Sequence, residues 1–194
     1  GGVNAITFGL SAVRNVGESL VELIVDERRK NGPFADFIDF CERVDYAVLN
    51  KRAIESLIKA GGFDSLGHPR QGLLLVFEEI IDKTTTTRKE HDMGVMTLFG
   101  AAEDGPAYDD RPPIPGTEFD KSRRLAFEKE MLGLYVSDHP LMGLEGALRR
   151  RSQNTLSELD GLDDGALVTI GGVVTQLQRK WTKKGDLMGI FILE

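Results

Sequence analysis

The residues best placed for chemistry form a tight turn, Asn15–Val16–Gly17, between two stretches of helically spaced apolar residues: Leu10 and Val13, then Leu20, Leu23 and Ile24. Backbone N–H groups at the start of a helix after such a turn converge on a phosphate if the turn residues tolerate positive φ and carry no bulk at the contact. Gly17 meets that need, Asn15 is the next most tolerant type, and Val16 is the apolar plug between the helices. Ala60–Gly61–Gly62–Phe63 repeats the idea, with Gly61 and Gly62 at the turn and Phe63 as plug. A plain αα-hairpin has the same pattern. Two such turns close together point instead to a paired helix-hairpin-helix, which holds both strands of a duplex through phosphates without reading sequence.

Other chemistry is missing from the pattern. There is no Gly-x-x-x-x-Gly-Lys-Ser/Thr stretch to cradle a nucleotide phosphate. Ser137–Asp138–His139 names the residues of a hydrolase triad, but three consecutive side chains diverge instead of forming a relay. His68, His91 and His139 lie far apart, without metal-ligand spacing. Asp36 and Asp39 are expected on a helix, not as a strand-borne pair holding two divalent ions. No catalytic residue and no metal site is expected in this chain.

Charge sets a further bound. A net charge of -7 excludes a generally basic surface, so any nucleic-acid contact must be local. Basic residues cluster at Arg28–Arg29–Lys30, Arg123–Arg124, Arg149–Arg150–Arg151 and around Arg179–Lys184, and each cluster alone also reads as a solvated face. Cys41 is the only cysteine, which excludes an internal disulfide and fits a buried bystander thiol. No apolar run approaches the roughly 18 residues of a membrane span, and the Gly-Gly start carries no signal peptide, so a cytoplasmic protein without membrane contact is expected.

The elements that must position these turns follow from periodicity. Asp36 caps a helix through Phe37, Phe40 and Cys41, Asn50 caps another through Ile54, Leu57 and Ile58, and Pro69 opens a third with Leu73, Leu74, Phe77, Ile80 and Ile81 on one stripe. Residues 1–82 thus read as an all-helical unit. From 83 to 116 the periodicity fails, with the Thr84–Thr87 run, acidic residues and four prolines, and a flexible linker is expected. Its one apolar island is Met96–Thr97–Leu98–Phe99. A helical connector follows over 117–160. From 161 to 194 the period changes: Leu167–Ile170 and Val173–Thr175 predict one strand with Gly171–Gly172 at a bend or bulge. Met188, Ile190 and Ile192 mark a second strand after a Lys183–Lys184–Gly185–Asp186 turn. Two strands bury no face by themselves, so the sequence reads as a fragment cut inside a β domain. The fold class expected is α+β and multidomain.

Three segments carry a resemblance: Gly9–Leu10–Ser11–Ala12–Val13–Arg14–Asn15–Val16–Gly17; Leu49–Asn50–Lys51–Arg52 with Leu57–Asp64; and, most specifically, Glu128–Lys129–Glu130–Met131–Leu132–Gly133–Leu134–Tyr135 running on to Leu141. In order and spacing they resemble the bacterial C-family replicative polymerases, whose catalytic chain is the polymerase III alpha subunit, over its C-terminal interior. The resemblance implies a DNA-directed DNA polymerase as parent, with its Mg2+ and palm carboxylates outside this chain and no cofactor within it. It implies a tandem helix-hairpin-helix unit on product duplex, with Asn15, Val16, Gly17, Gly61, Gly62 and Phe63 at the phosphate-facing turns. It also implies a sliding-clamp peptide at Val95, Met96, Thr97, Leu98 and Phe99, with Val95 where the family usually has glutamine. Last comes the N-terminal part of an OB-fold near single-stranded template, whose first hairpin carries Arg179, Lys180, Trp181, Lys183 and Lys184 to pair phosphates and stack bases. Trp181 in a core is the alternative for that residue. Partners would be duplex and single-stranded DNA, the clamp and other replicase subunits. The rival is a helical scaffold whose OB-fold makes protein contacts only.

Overall fold

The structure, a computed structural model describing residues 9–93 and 110–194, divides into two units, Gly1–Val136 and Ser137–Glu194. Among the described residues no helix is long and apolar enough to cross a membrane.

Short polar side chains start most helices of the first unit, because the first-turn N–H groups have no partner inside a helix. α1 (Glu18–Asn31) follows Gly17. α2 (Phe37–Arg43) begins where Asp36 accepts from the Asp39 amide, and α3 (Lys51–Ala60) where Asn50 accepts from that of Ala53, as the sequence predicts. α4 (Arg70–Asp92) follows Pro69, and α5 (Lys121–Leu132) is capped by Asp120 and ends at Gly133. Their apolar faces meet in one core. Phe37, Ile54, Ile58 and Ile80 are fully buried, and Phe63 packs edge-on against Phe37 and Phe40 at centroid distances of 5.1 and 4.9 Å. Burial pushes the Cys41 thiol up to about 12, so it stays protonated and inert.

Two boundaries differ from the sequence prediction. The expected linker from residue 83 begins as helix instead, since α4 continues ten residues to Asp92. Tertiary contacts override the weak helix propensity of the threonine run. Thr84 is buried, and Arg88 donates from Nη1 to the carbonyls of Cys41 (3.0 Å) and Val44 (2.8 Å), closing the end of α2 while stacking on Tyr46.

Residues 110–120 are not a free tether either. Ile114 packs against the core, and the Gly72 amide donates to the Thr117 carbonyl at 3.0 Å. Any Cβ at position 72 would overlap the carbonyl oxygen of Pro115, so this close approach requires glycine inside α4. The predicted connector over 117–160 is accordingly divided: α5 packs on α3 in the first unit, and residues from Ser137 onward belong to the second.

The second unit holds α6 (Glu145–Arg151), a 3-10 turn at Leu156–Gly161 opened by a Thr155/Glu158 capping box, and strands β1 (Val174–Trp181) and β2 (Leu187–Leu193). The strands pair antiparallel, with Trp181 opposite Leu187 and Leu177 opposite Phe191. Gly185, at φ 87°, closes the predicted turn. The strand expected over 167–170 does not form, and the register shift lies between Val174 and Gln176, not at Gly171–Gly172. Those glycines serve close approach: a Cβ at Gly171 would sit 2.7 Å from Leu148, and one at Gly172 would overlap the Glu194 carbonyl.

Candidate nucleic-acid interface

The turn at Asn15–Gly17 is held from three sides. Val13 and Val16 are buried in the core, and the Arg14 amide donates to the Met131 carbonyl at the end of α5 (2.9 Å). Asn15 has φ 66°, the one positive value at a non-glycine residue among those described. Its Nδ2 donates to Ser56 Oγ (3.0 Å), which in turn donates to the Arg52 carbonyl (2.9 Å). An asparagine therefore does what glycine could not, since it takes the left-handed conformation and ties the turn to α3.

Gly17 departs from expectation. Its φ of -79° and ψ of 156° are ordinary extended backbone, so positive φ is not why glycine stands there. A Cβ at this site would meet only Ser19 Oγ, at 3.9 Å. What the missing side chain leaves is access. Gly17 precedes α1 without a capping side chain, and the amides of Gly17, Glu18 and Ser19 find no acceptor among the described residues. They lie beside a cleft of about 410 Å3 between the starts of α1 and α3, whose lining includes Asn15, Gly17, Ser19, Asn50 and Arg52. Arg52 is the only charged residue of that lining and has no carboxylate partner among the described residues. Uncapped amides, the positive end of a helix and a guanidinium suit a phosphate oxygen.

The second predicted turn is built differently. Gly61 (φ 84°) ends α3 in the left-handed conformation, its amide donating to Ile58 O (3.0 Å) and that of Gly62 to Leu57 O (2.8 Å). This is a Schellman closure, and it commits both amides to the helix end. Phe63 is buried against Phe37 and Phe40, and a 3-10 turn (Asp64–Leu66) intervenes before α4. The first amides of α4 are also taken. Glu118 accepts from Arg70 N (2.9 Å) and Gln71 N (3.3 Å), and Thr117 O from Gly72 N. Partial burial pulls the Glu118 carboxyl up, but the bonds from the Phe119, Arg70 and Gln71 amides outweigh it and hold the group below the usual carboxylate range. Gly61 and Gly62 thus form a structural corner whose amides are committed to the end of α3, and of the three turn residues only Phe63, whose side chain is buried, has an amide without an acceptor among the described residues.

Behind that corner lies a buried ion network. Arg70 grips Asp64 with Nε–Oδ1 at 2.9 Å and Nη2–Oδ2 at 2.6 Å, while Nη1 donates to Glu128 Oε1 at 2.9 Å. Glu128 Oε2 accepts from the Val136 amide (3.0 Å). Nothing local in the sequence marks Glu118 or Glu128 as partners of Arg70, which lies 48 and 58 positions away. Arg52 had a weak local signal, being a cation in the first turn after the Asn50 cap, where basic residues are not favoured by the helix dipole.

In the second unit the register separates the predicted basic and aromatic residues. Arg179 and Trp181 share a face of the hairpin with Leu177, Leu187 and Phe191, whereas Lys180 lies on the opposite face with Met188 and Ile190. Trp181 is 74% exposed and not a core residue of this unit. Lys183 and Lys184 sit in the turn, both exposed. The predicted clamp segment Val95–Phe99 lies outside the described residues. Among the described residues no group of three or more His, Cys, Asp or Glu is placed to hold a metal ion.

The helix-hairpin-helix motif model matches residues 2–73, which include both turns. Over 185 residues, 93% of the chain, the sequence is 40% identical to the DNA polymerase III subunit alpha of Mycobacterium tuberculosis. It is 39% identical to that of Saccharopolyspora erythraea and 37% to that of Pseudomonas aeruginosa, each covering 97% of the chain. The chain spans 16–17% of the length of these relatives.

Proposed function

We propose that this chain, a segment of the bacterial DNA polymerase III alpha family, holds the sugar-phosphate backbone of DNA for a replicative polymerase whose catalytic carboxylates and Mg2+ belong to other parts of the parent. The observation that carries this reading is the set of uncapped amides at Gly17, Glu18 and Ser19 beside Arg52, within a region matched by a helix-hairpin-helix model. Backbone amides and a guanidinium recognise phosphate without recognising bases, which suits an enzyme that must hold any sequence it copies.

Gly17→Val tests it with little side effect on folding. The position has ordinary φ and open space, so the stability cost should be about 1 kcal/mol or less. The isopropyl group would nevertheless stand over the amides. Fluorescence anisotropy at low salt should show duplex affinity reduced by about 10- to 100-fold, the equivalent of one or two charge-assisted hydrogen bonds. Wild-type affinity in the folded variant would leave the turn a structural corner and the unit a scaffold.

The remaining roles follow from the family. The β1–β2 hairpin would begin an OB-fold that meets single-stranded template, Trp181 stacking on bases with Arg179 on the same face and Lys183 and Lys184 near phosphates. Val95–Phe99 would tether the polymerase to its sliding clamp, Leu98 and Phe99 filling an apolar pocket, and Val95 lacking the polar contact of a glutamine. A peptide of residues 90–102 should bind the clamp in calorimetry. Leu98→Ala with Phe99→Ala should abolish the heat, and Val95→Gln should tighten binding by on the order of 1 kcal/mol. No heat from the parent peptide and no gain with glutamine would place the tether elsewhere.

A further inference from the structure

The two turns matched by one motif model are not equivalent. At the first, three successive amides have no acceptor among the described residues, and two of their residues, Gly17 and Ser19, line an open cleft together with Arg52. At the second, Gly61 and Gly62 donate to the end of α3 and Glu118 occupies the start of α4 with two amide bonds, which leaves of the turn residues only the Phe63 amide without an acceptor among the described residues. A carboxylate placed there is itself an anion at a helix start, so a DNA phosphate would meet both steric exclusion and like charge. The strap that carries Glu118 is pinned by Ile114, packed against the core, and by the Gly72–Thr117 bond, so it is part of the fold.

From this asymmetry we infer that the first unit engages one strand of the duplex only, and that Arg52 makes a phosphate contact on that same strand, next to the one taken by the Gly17–Ser19 amides. The inference rests on the phosphate-holding function proposed for the first turn and goes beyond it, by removing the second turn from the interface and by placing the Arg52 contact on the same strand as that of the amides. Arg52 is suited to the role because it is exposed, lines the cleft, and is linked to the turn through its own carbonyl, Ser56 and Asn15. Its charge is the only one in the lining, so no neighbouring acid in the cleft competes with a phosphate for it.

Short duplexes with a neutral methylphosphonate backbone on one strand separate the possibilities, using the whole 194-residue chain. One-strand engagement predicts that a half-neutral duplex binds within about threefold of the native duplex at matched ionic strength, because every direct contact can still be made to the charged strand, whereas a fully neutral duplex does not bind. A half-neutral duplex that binds on the order of 30-fold or more weakly than native would mean contacts on both strands and would overturn the inference. Arg52→Ala should lower the magnitude of the slope of log affinity against log salt by about 0.9 on the native duplex, the value for one phosphate contact. An unchanged slope removes Arg52 from the interface. Absence of binding to the native duplex would instead count against the proposed function itself.

Discussion

Glu128→Ala is expected to destabilise the first unit by about 3–5 kcal/mol, the range for removing one partner of a buried ion pair. The side chain is 1% exposed and accepts from Arg70 Nη1 at 2.9 Å and from the Val136 amide at 3.0 Å. Truncation leaves the Arg70 guanidinium, only 5% exposed, with Asp64 as its one remaining ion-pair partner among the described residues, and Asp64 is half-exposed. The cost is therefore that of a buried charge short of its partner, more than that of a lost contact. α5 should loosen from α3, and with it the Met131 carbonyl that anchors the Arg14 amide beside the first turn. Urea denaturation of Glu128→Ala, of Arg70→Met and of the double variant measures this. The double variant should lose clearly less than the sum of the singles, since it leaves no orphaned charge. A single-variant loss below about 1 kcal/mol would show that water reaches Arg70 and replaces the carboxylate.

Gly61→Val should cost a similar amount, about 3–5 kcal/mol, for a different reason. Gly61 sits at φ 84°, which a β-branched residue adopts only under strain. The new Cβ would also overlap Arg70 Nη2 and stand 2.7 Å from Arg70 Cζ and 2.9 Å from Asp64 Oδ2. The guanidinium is fixed by the bonds just described, so relief requires breaking the Asp64–Arg70 pair or moving the α3 end. Any reduction in DNA binding by this variant should track its unfolded fraction and disappear under conditions where it is fully folded. Gly17→Val, with open space and ordinary φ, should show the opposite combination of near-native stability and weakened binding. If Gly61→Val unfolds at the wild-type urea midpoint, the corner is softer than the packing around Arg70 implies.

The sequence prediction succeeds where the interaction is local. Asp36 and Asn50 cap because an oxygen two atoms from the backbone reaches an amide three residues on, whatever surrounds it. The Lys183–Asp186 turn is legible for the same reason, since Gly185 supplies the positive φ that closes it. Val16 and Phe63 are recognisable as core plugs from apolar spacing alone.

The errors concern partners distant in sequence. Gly17 and Gly61 are the same residue in similar local contexts, yet one is extended and accessible and the other is left-handed and closed off. The Thr84–Thr87 run looks like a helix breaker because its propensity is weak, and Arg88 and buried Thr84 hold it helical through contacts to α2.

The sequence by itself determined that helices come first and a hairpin last, where most helices begin, and that a glycine-containing turn precedes α1. Tertiary structure alone decided which of the two helix starts, α1 or α4, keeps its amides free. That outcome depends on whether a carboxylate 48 residues beyond α4's first residue arrives to satisfy them, and periodicity and propensity carry no information about it. An uncapped helix start accepts the nearest anion. For α4 that anion is Glu118 of the same chain, while α1 is left with an open cleft and Arg52.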